Sequence, residues 1–372
     1  MTIDLKAYYN SPAAKLLTLC VAVYNMEQFL ARCLDSVLVD DEVLLCRTEV
    51  LIVDDGSTDN SASIARKYTE RWPSTFRLIQ KPNGQYGSCV NMALKEAHGR
   101  YFRMLDADDW MNTSALKRLL RHIDQDNTQP DLLVTKFTRH TSFGTISHRD
   151  DPVAITYGET YRVKKMVTFM RDAWPSSYVM HNMTYRTALL RQMGLRLTEG
   201  IYYTDTEYVF YPLYHLQTVQ YLDLDLYQYD VSRDGQTTQL NVTYQHRHDL
   251  EQLITQCAQY YLRERSKHTD DFNRMARLLL TFMIRAFYMG TCLGHRQSDN
   301  GQDRKMLKRM DQLLSQDDGL YAITTQRRYN LLPYVSIVRR IGWWPYTGLY
   351  GIYNRCVDAS KRIIGHRDRR YE

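Results

Sequence analysis

The stretch Leu51-Ile-Val-Asp-Asp-Gly-Ser-Thr-Asp59 constrains this chain more than any other. Apolar β-formers run straight into two acids, a glycine and a capping triplet, so a buried strand must end in a polar turn that opens a helix. A run from Leu16 to Val23 precedes it and ends in Val-Tyr-Asn25, and a run from Tyr101 to Leu105 follows it and ends in Asp106-Ala-Asp108. Strands covered on both faces need continuous apolar runs of this kind. Three of them with polar ends describe the carboxyl edge of an α/β sheet, which is where such sheets bind ligands.

Between these strands the apolar spacing changes to the helical period. Phe29, Leu30, Cys33, Leu34, Val37 and Leu38 predict a helix over 27–39, and Ser57 to Asp59 read as a cap ahead of Ile64 and Tyr68. Arg77 to Gln80 reads as a short strand, Asn83-Gly84 with Gly87 as a turn, and Cys89 to Ala97 as a helix. Repeated strand-turn-helix units predict a Rossmann-like, mostly parallel central sheet flanked by helices, with right-handed crossovers. Helical spacing takes over from Asp249, with a second helix from Phe272 to Met289. The expected division is a lead-in over 1–15, two halves of an α/β domain over 16–125 and 126–245, and a helical C-terminal region over 246–372. Of the 29 tyrosines, Tyr202, Tyr203, Tyr208, Tyr211 and Tyr214 crowd one stretch, either as core packing or as the wall of a sugar cleft.

Charge and cysteine content narrow the function classes. The net charge is +6, and residues 339–372 hold eight Arg/Lys against three acids, so the rest of the chain is nearly neutral. That argues against nucleic-acid binding, which needs cations across a folded face. The tail surrounds an uncharged aromatic stretch, Ile341 to Tyr353, and this pairing fits peripheral contact with an anionic membrane or, equally, an aromatic hook on the folded body. Seven cysteines without a C-x-x-C pair fit a reducing compartment. No apolar signal segment opens the chain, and the run Leu278 to Ile284 is too short to span a bilayer. The expected location is cytoplasmic, at the inner face of the cell membrane.

Asp106 and Asp108, one residue apart at a strand end, are placed to hold a divalent cation that bridges a diphosphate. An Asx-turn closing the strand is the plain alternative. No G-x-G-x-x-G follows the first strand, which argues against a dinucleotide-dependent oxidoreductase, and the Gly-rich loop with a following Arg of a nucleotidyltransferase is also missing.

In these segments the chain resembles the family 2 glycosyltransferases, inverting nucleotide-sugar enzymes with the GT-A fold. The matching residues are Val21 to Leu30, Val50 to Asp59, Asn83-Gly-Gln-Tyr-Gly87 with Asn91, and Met104 to Asp109. The resemblance implies that 16–125 is the donor half and 126–245 the acceptor half. It implies a nucleotide-sugar donor, UDP-linked by expectation, contacted by Ala22, Tyr24, Glu27, Asp55, Asn83, Gly87 and Asp106. Asp108, with Asp106, would hold Mg2+ or Mn2+. Asp205 would be the general base, although Thr204 stands where the family usually has Glu, which keeps Glu207 in play. Arg233, in an Arg-x-Gly-Gln turn, would reach the diphosphate, and His181 and Tyr203 would face the acceptor, a lipid-linked or cell-envelope glycan. The non-enzymatic alternative is a nucleotide-sugar-binding or scaffold subunit of a glycan-assembly complex, and the intact Asp106, Asp108 and Asp205 argue against it.

Overall fold

The structure, a computed structural model, describes residues 15–142, 144–148, 155–165, 178–232, 240–293, 301–324, 335 and 339–340. Arg233 and the tail beyond Arg340 lie outside the described residues. The chain divides into two compact units, Met1–Ser232 and Arg233–Glu372. The change of unit thus comes before the helix Leu240–Gln245, where the sequence reading set its division after 245.

The first unit is built on one mixed sheet. Strands β1 (Leu17–Val23), β2 (Thr48–Asp54), β3 (Phe76–Gln80) and β4 (Tyr101–Asp106) lie parallel in the order β3-β2-β1-β4. Every residue of β2 is buried, as its unbroken apolar run requires. The register sets Ala22 of β1 beside Val53 on one side and Asp106 on the other, so the polar strand ends share one edge. Because β2 and β4 flank β1 on opposite sides, the strand order reverses there and a crevice opens at that edge.

Beyond β4 the sheet stops being parallel, which the sequence reading did not anticipate. The short β5 is Trp110–Met111. Then come β6 (Leu132–Thr141), β7 (Gly144–His148), β8 (Thr160–Arg162), β9 (Met183–Arg186) and β10 (Thr218–Asp230). Strand β9 runs antiparallel to both β4 and β6, and β10 returns parallel to β6. The effect is to bring the end of β10 back beside β5, next to the acids that close β4.

Helices of this unit among the described residues include α1 (Leu30–Asp35), α2 (Glu42–Cys46), α3 (Ser61–Arg71), α4 (Gln85–Glu96), α5 (Thr113–Gln125), α6 (Thr187–Gln192) and α7 (Asp205–Leu213). Two differ from expectation. The first helix starts at Leu30 rather than Glu27, because Asn25 takes a positive φ of 55° and residues 25–27 are tied to the loop after β2. Gly87 lies inside α4 rather than in a turn.

The second unit is helical in its described residues, as expected. It comprises α8 (Leu240–Gln245), α9 (Arg247–Glu264), α10 (Asp270–Leu293), α11 (Gln302–Leu314) and α12 (Asp318–Ile323). Asp303, almost wholly buried, accepts from Arg247 at 2.6 Å and from Tyr244 at 3.0 Å, which satisfies its charge inside the bundle. Arg339 pairs with Asp311, so one cation of the basic tail serves this unit internally. No helix among the described residues is long and apolar enough to cross a membrane.

Candidate active site at the carboxyl edge of the sheet

The loops after β1 and β2 are knitted together by their own short polar side chains. Asp54 accepts from the Ser57 N–H at 2.9 Å, and Ser57 Oγ accepts from the Asn25 N–H at 3.0 Å. Asp59 accepts from the Glu27 N–H at 3.0 Å, while the Glu27 carboxylate accepts from the Asn60 backbone and side-chain amides at 2.9 and 2.8 Å. Asp54, Ser57 and Asp59 are therefore turn formers, and Glu27 spends its carboxylate on the entrance to α3. Tyr24 stands in this framework with its ring about half exposed, at 48%.

Asp55 is buried and anchors the next loop. It accepts from the Gly84 N–H at 2.9 Å and is ion-paired with Lys81, a partner that no sequence motif marked. Asn83 is exposed beside them. Gly87 sits where α4 passes the segment before α7: a Cβ there would lie 2.2 Å from the Thr198 carbonyl oxygen and 3.3 Å from Thr204 Oγ1. The glycine is fixed by this close approach, since its φ is not in the left-handed region.

The acids after β4 form the centre of the site. Donor atoms of Asp106, Asp109 and His181 lie within 4.8 Å of one another. Asp108, the expected second ligand, is outside that trio; its carbonyl oxygen accepts from Arg32 at 2.7 Å. Two carboxylate oxygens and an imidazole nitrogen suit a divalent first-row cation, so the residues present fit the group that the family resemblance implies. Asp109 is buried, and burial, then the charges of Asp108 and Asp106, push its carboxyl well above the usual carboxylate range. A divalent cation would offset the repulsion among these acids.

Each member of the trio is held from behind. Tyr86 donates to Asp106 at 2.6 Å, and Tyr227 donates to Asp109 at 2.7 Å while accepting from the Asp106 N–H at 3.2 Å. His181 rides on the short turn Met180–Asn182, stacked on Tyr229 at 4.3 Å and Phe137 at 5.3 Å with the edge of Tyr227 at 4.7 Å. Beneath it Arg103, wholly buried in β4, donates to Thr184 at 2.7 Å, to Thr135 at 3.2 Å and to the His181 carbonyl. Burial pushes its guanidinium down to about 10. Asp109, Tyr86, Tyr227 and Arg103 were not singled out from sequence, although Asp109 and Tyr86 stood within quoted motifs.

Asp205 opens α7, and its charge adds a small share to the raised phenols of Tyr86 and Tyr229. Burial raises its carboxyl above the ordinary aspartate value. Glu207, two residues on, is committed elsewhere: one oxygen accepts from the Thr198 N–H at 2.6 Å and the other from Thr198 Oγ1 at 2.8 Å. Tyr203, just before the helix, takes a strained positive φ of 67°. Tyr208 packs in the core against Phe102 and Tyr185, so the tyrosine-rich stretch serves packing at that position.

Residues 18–194 match the family model described as Glycosyl transferase family 2. An uncharacterized glycosyltransferase of Mycoplasma pneumoniae is 39% identical over 113 residues, 30% of this chain and 37% of that protein. The minor teichoic acid biosynthesis protein GgaB of Bacillus subtilis is 28% identical over 111 residues, 30% of this chain and 12% of that one. The chain thus spans well under half the length of either relative. Among solved structures, S. aureus TarS 1-349 in complex with UDP-GlcNAc superposes with a TM-score of 0.59 at 18% identity, covering 91% of this chain and 92% of that one. The likeness in fold, the family model and the acids gathered at the end of β4 agree: residues 18–194 are a glycosyl transferase family 2 domain with the GT-A fold.

Proposed function

We propose that this protein transfers a sugar from a UDP-sugar donor to a lipid-linked or cell-envelope glycan, with inversion at the anomeric carbon. The observation that carries this is the trio of Asp106, Asp109 and His181 at the switch point of the sheet. UDP-GlcNAc in the TarS complex and teichoic acid biosynthesis in the name of GgaB support the donor and acceptor classes.

Ala22 and Tyr24 line the base, Asp55 accepts its ring N–H, Asn83 and Gly87 border the sugar-nucleotide, and Asp106 faces the ribose and diphosphate. Asp106, Asp109 and His181 would hold the cation, for which the imidazole favours Mn2+ over Mg2+. When bound, such a cation neutralises charge on the departing nucleoside diphosphate. In this reading His181 serves the cation rather than the acceptor, and Asp108 is the alternative ligand. Tyr203 faces the acceptor.

Asp205 is the general base. Its carboxylate takes the proton of the acceptor hydroxyl as that oxygen bonds to C1, and the C1–O bond to the diphosphate breaks with its electron pair leaving on the nucleotide. Glu207 stays the alternative base, and the two hydrogen bonds it accepts from Thr198 favour Asp205 over it. The basic tail makes the contact with an anionic membrane surface at the cytoplasmic side, a reading supported by its sequence charge alone.

The test is a panel of nucleotide sugars with Mn2+, scored by release of the nucleoside diphosphate. Release from a UDP-sugar that requires the cation and is lost in Asp205→Asn supports the reading. No turnover and no binding of any nucleotide sugar would overturn it.

A further inference from the structure

We infer that Tyr86 and Tyr227 are positioning residues that preset the two carboxylates of the cation site, an inference that rests on the cation reading above. The two phenols come from distant parts of the chain, one from the first turn of α4 and one from late in β10. They converge on neighbouring acids of a single loop. Tyr86 donates to Asp106 at 2.6 Å and Tyr227 donates to Asp109 at 2.7 Å. Each hydroxyl has one proton to give. Met180 Sδ also lies 3.9 Å from the Tyr86 hydroxyl, but the much closer carboxylate oxygen takes its proton.

The second bond of Tyr227 gives the arrangement its geometry. Its oxygen accepts from the Asp106 N–H at 3.2 Å, so one hydroxyl ties the main chain of one acid to the side chain of the other. Asp109 is fixed further by the Asp230 N–H at 2.7 Å on its second oxygen. Two crowded carboxylates repel, and without donors they would turn apart. The phenols hold them convergent before a cation arrives. Metal-site carboxylates are oriented by such outer hydrogen bonds, and loss of one typically costs about 10- to 100-fold in metal affinity.

Tyr86 also links two functions. It lies two residues from Gly84, whose N–H is held by Asp55, so the loop expected to read the nucleotide base and the acid expected to meet its diphosphate share a short rigid connection.

The test uses the full-length protein and Mn2+ alone, titrated with the free ion followed by its electron paramagnetic resonance signal. Tyr86→Phe and Tyr227→Phe remove one oxygen each and keep the ring. Tyr68→Phe is the control, since Tyr68 donates to Asp35 at 2.7 Å from α3 and does not join the acid cluster. The expected result is Mn2+ binding weakened about 10-fold in each site variant, with wild-type affinity in Tyr68→Phe and melting temperatures that do not track the loss. Wild-type Mn2+ affinity in both site variants overturns the positioning role while leaving the cation site standing. Absence of Mn2+ binding by the wild-type protein removes the cation site itself and this role with it.

Discussion

Glu207 offers the sharpest separation of a structural acid from a catalytic one. Its side chain is about 1% exposed, and it accepts two hydrogen bonds from Thr198, at 2.6 and 2.8 Å. Hydrogen bonds to a charged group contribute about 1.5–3 kcal/mol each. Glu207→Ala removes both and leaves a backbone N–H without its acceptor, a cost of about 3 kcal/mol or more. In a unit of this size about 1 kcal/mol moves the melting temperature by roughly 2–4 °C, so the alanine variant should melt about 6–12 °C lower. Glu207→Gln should cost much less, about 1 kcal/mol, because its carbonyl can accept from the N–H while the Thr198 hydroxyl turns to accept from its amide. Melting curves by circular dichroism and kcat on the same samples decide the matter. The account expects the glutamine variant to keep kcat within a few-fold of wild type. A glutamine variant that melts like wild type yet has lost kcat by about 100-fold or more, the scale of a general base, would refute the reasoning and move the base to Glu207.

Asp205→Asn should lower kcat by about 10²- to 10⁴-fold and leave UDP-sugar binding intact by calorimetry, since a base acts in the chemical step. Because burial raises the Asp205 carboxyl, the acid limb of kcat/KM should lie above the ordinary aspartate range: activity is lost as pH falls through the raised value, where the base becomes protonated. A limb at the ordinary value would contradict that environment. Gly87→Ala should destabilise by about 1–3 kcal/mol through overpacking against Thr198, read as a lowered melting temperature, and an unchanged one would deny the close approach. Asp109→Asn should weaken Mn2+ more than Asp108→Asn does, by competition with a metal indicator, and the reverse order would return the second ligand to Asp108.

The parallel half of the sheet could be read from sequence because its strands are buried on both faces, and Val50 to Val53 or Leu16 to Val23 admit little else. The antiparallel half could not. Strand β9 is Met183–Arg186, too short to show a period, and β10 alternates through Asp223 and Asp225 in a run whose β6 partners, such as Leu132 for Val219 and His140 for Asp230, lie far upstream. At the site, Asp106 and Asp205 carry local signals, a strand end and a helix start. Tyr227 and Arg103 carry none, and Tyr86 only its place in the Asn83–Gly87 segment, because what makes them matter is convergence in space. The shortened first helix has a related cause: the apolar period from Phe29 was visible, but the hydrogen bonds from Asn25 and Glu27 across to Thr58 and Asn60 compete with helix formation and were not.

The central claim is that the carboxyl edge of β1, β2 and β4 binds a nucleoside diphosphate through a cation held by Asp106 and its neighbours. Calorimetric titration of UDP into the protein, with and without Mn2+, tests it without needing the acceptor. The account predicts that Mn2+ tightens UDP binding about tenfold or more, on the scale of 1–3 kcal/mol of coupling, and that Asp106→Asn removes the difference. Equal UDP affinity with and without Mn2+ in the wild-type protein would contradict it.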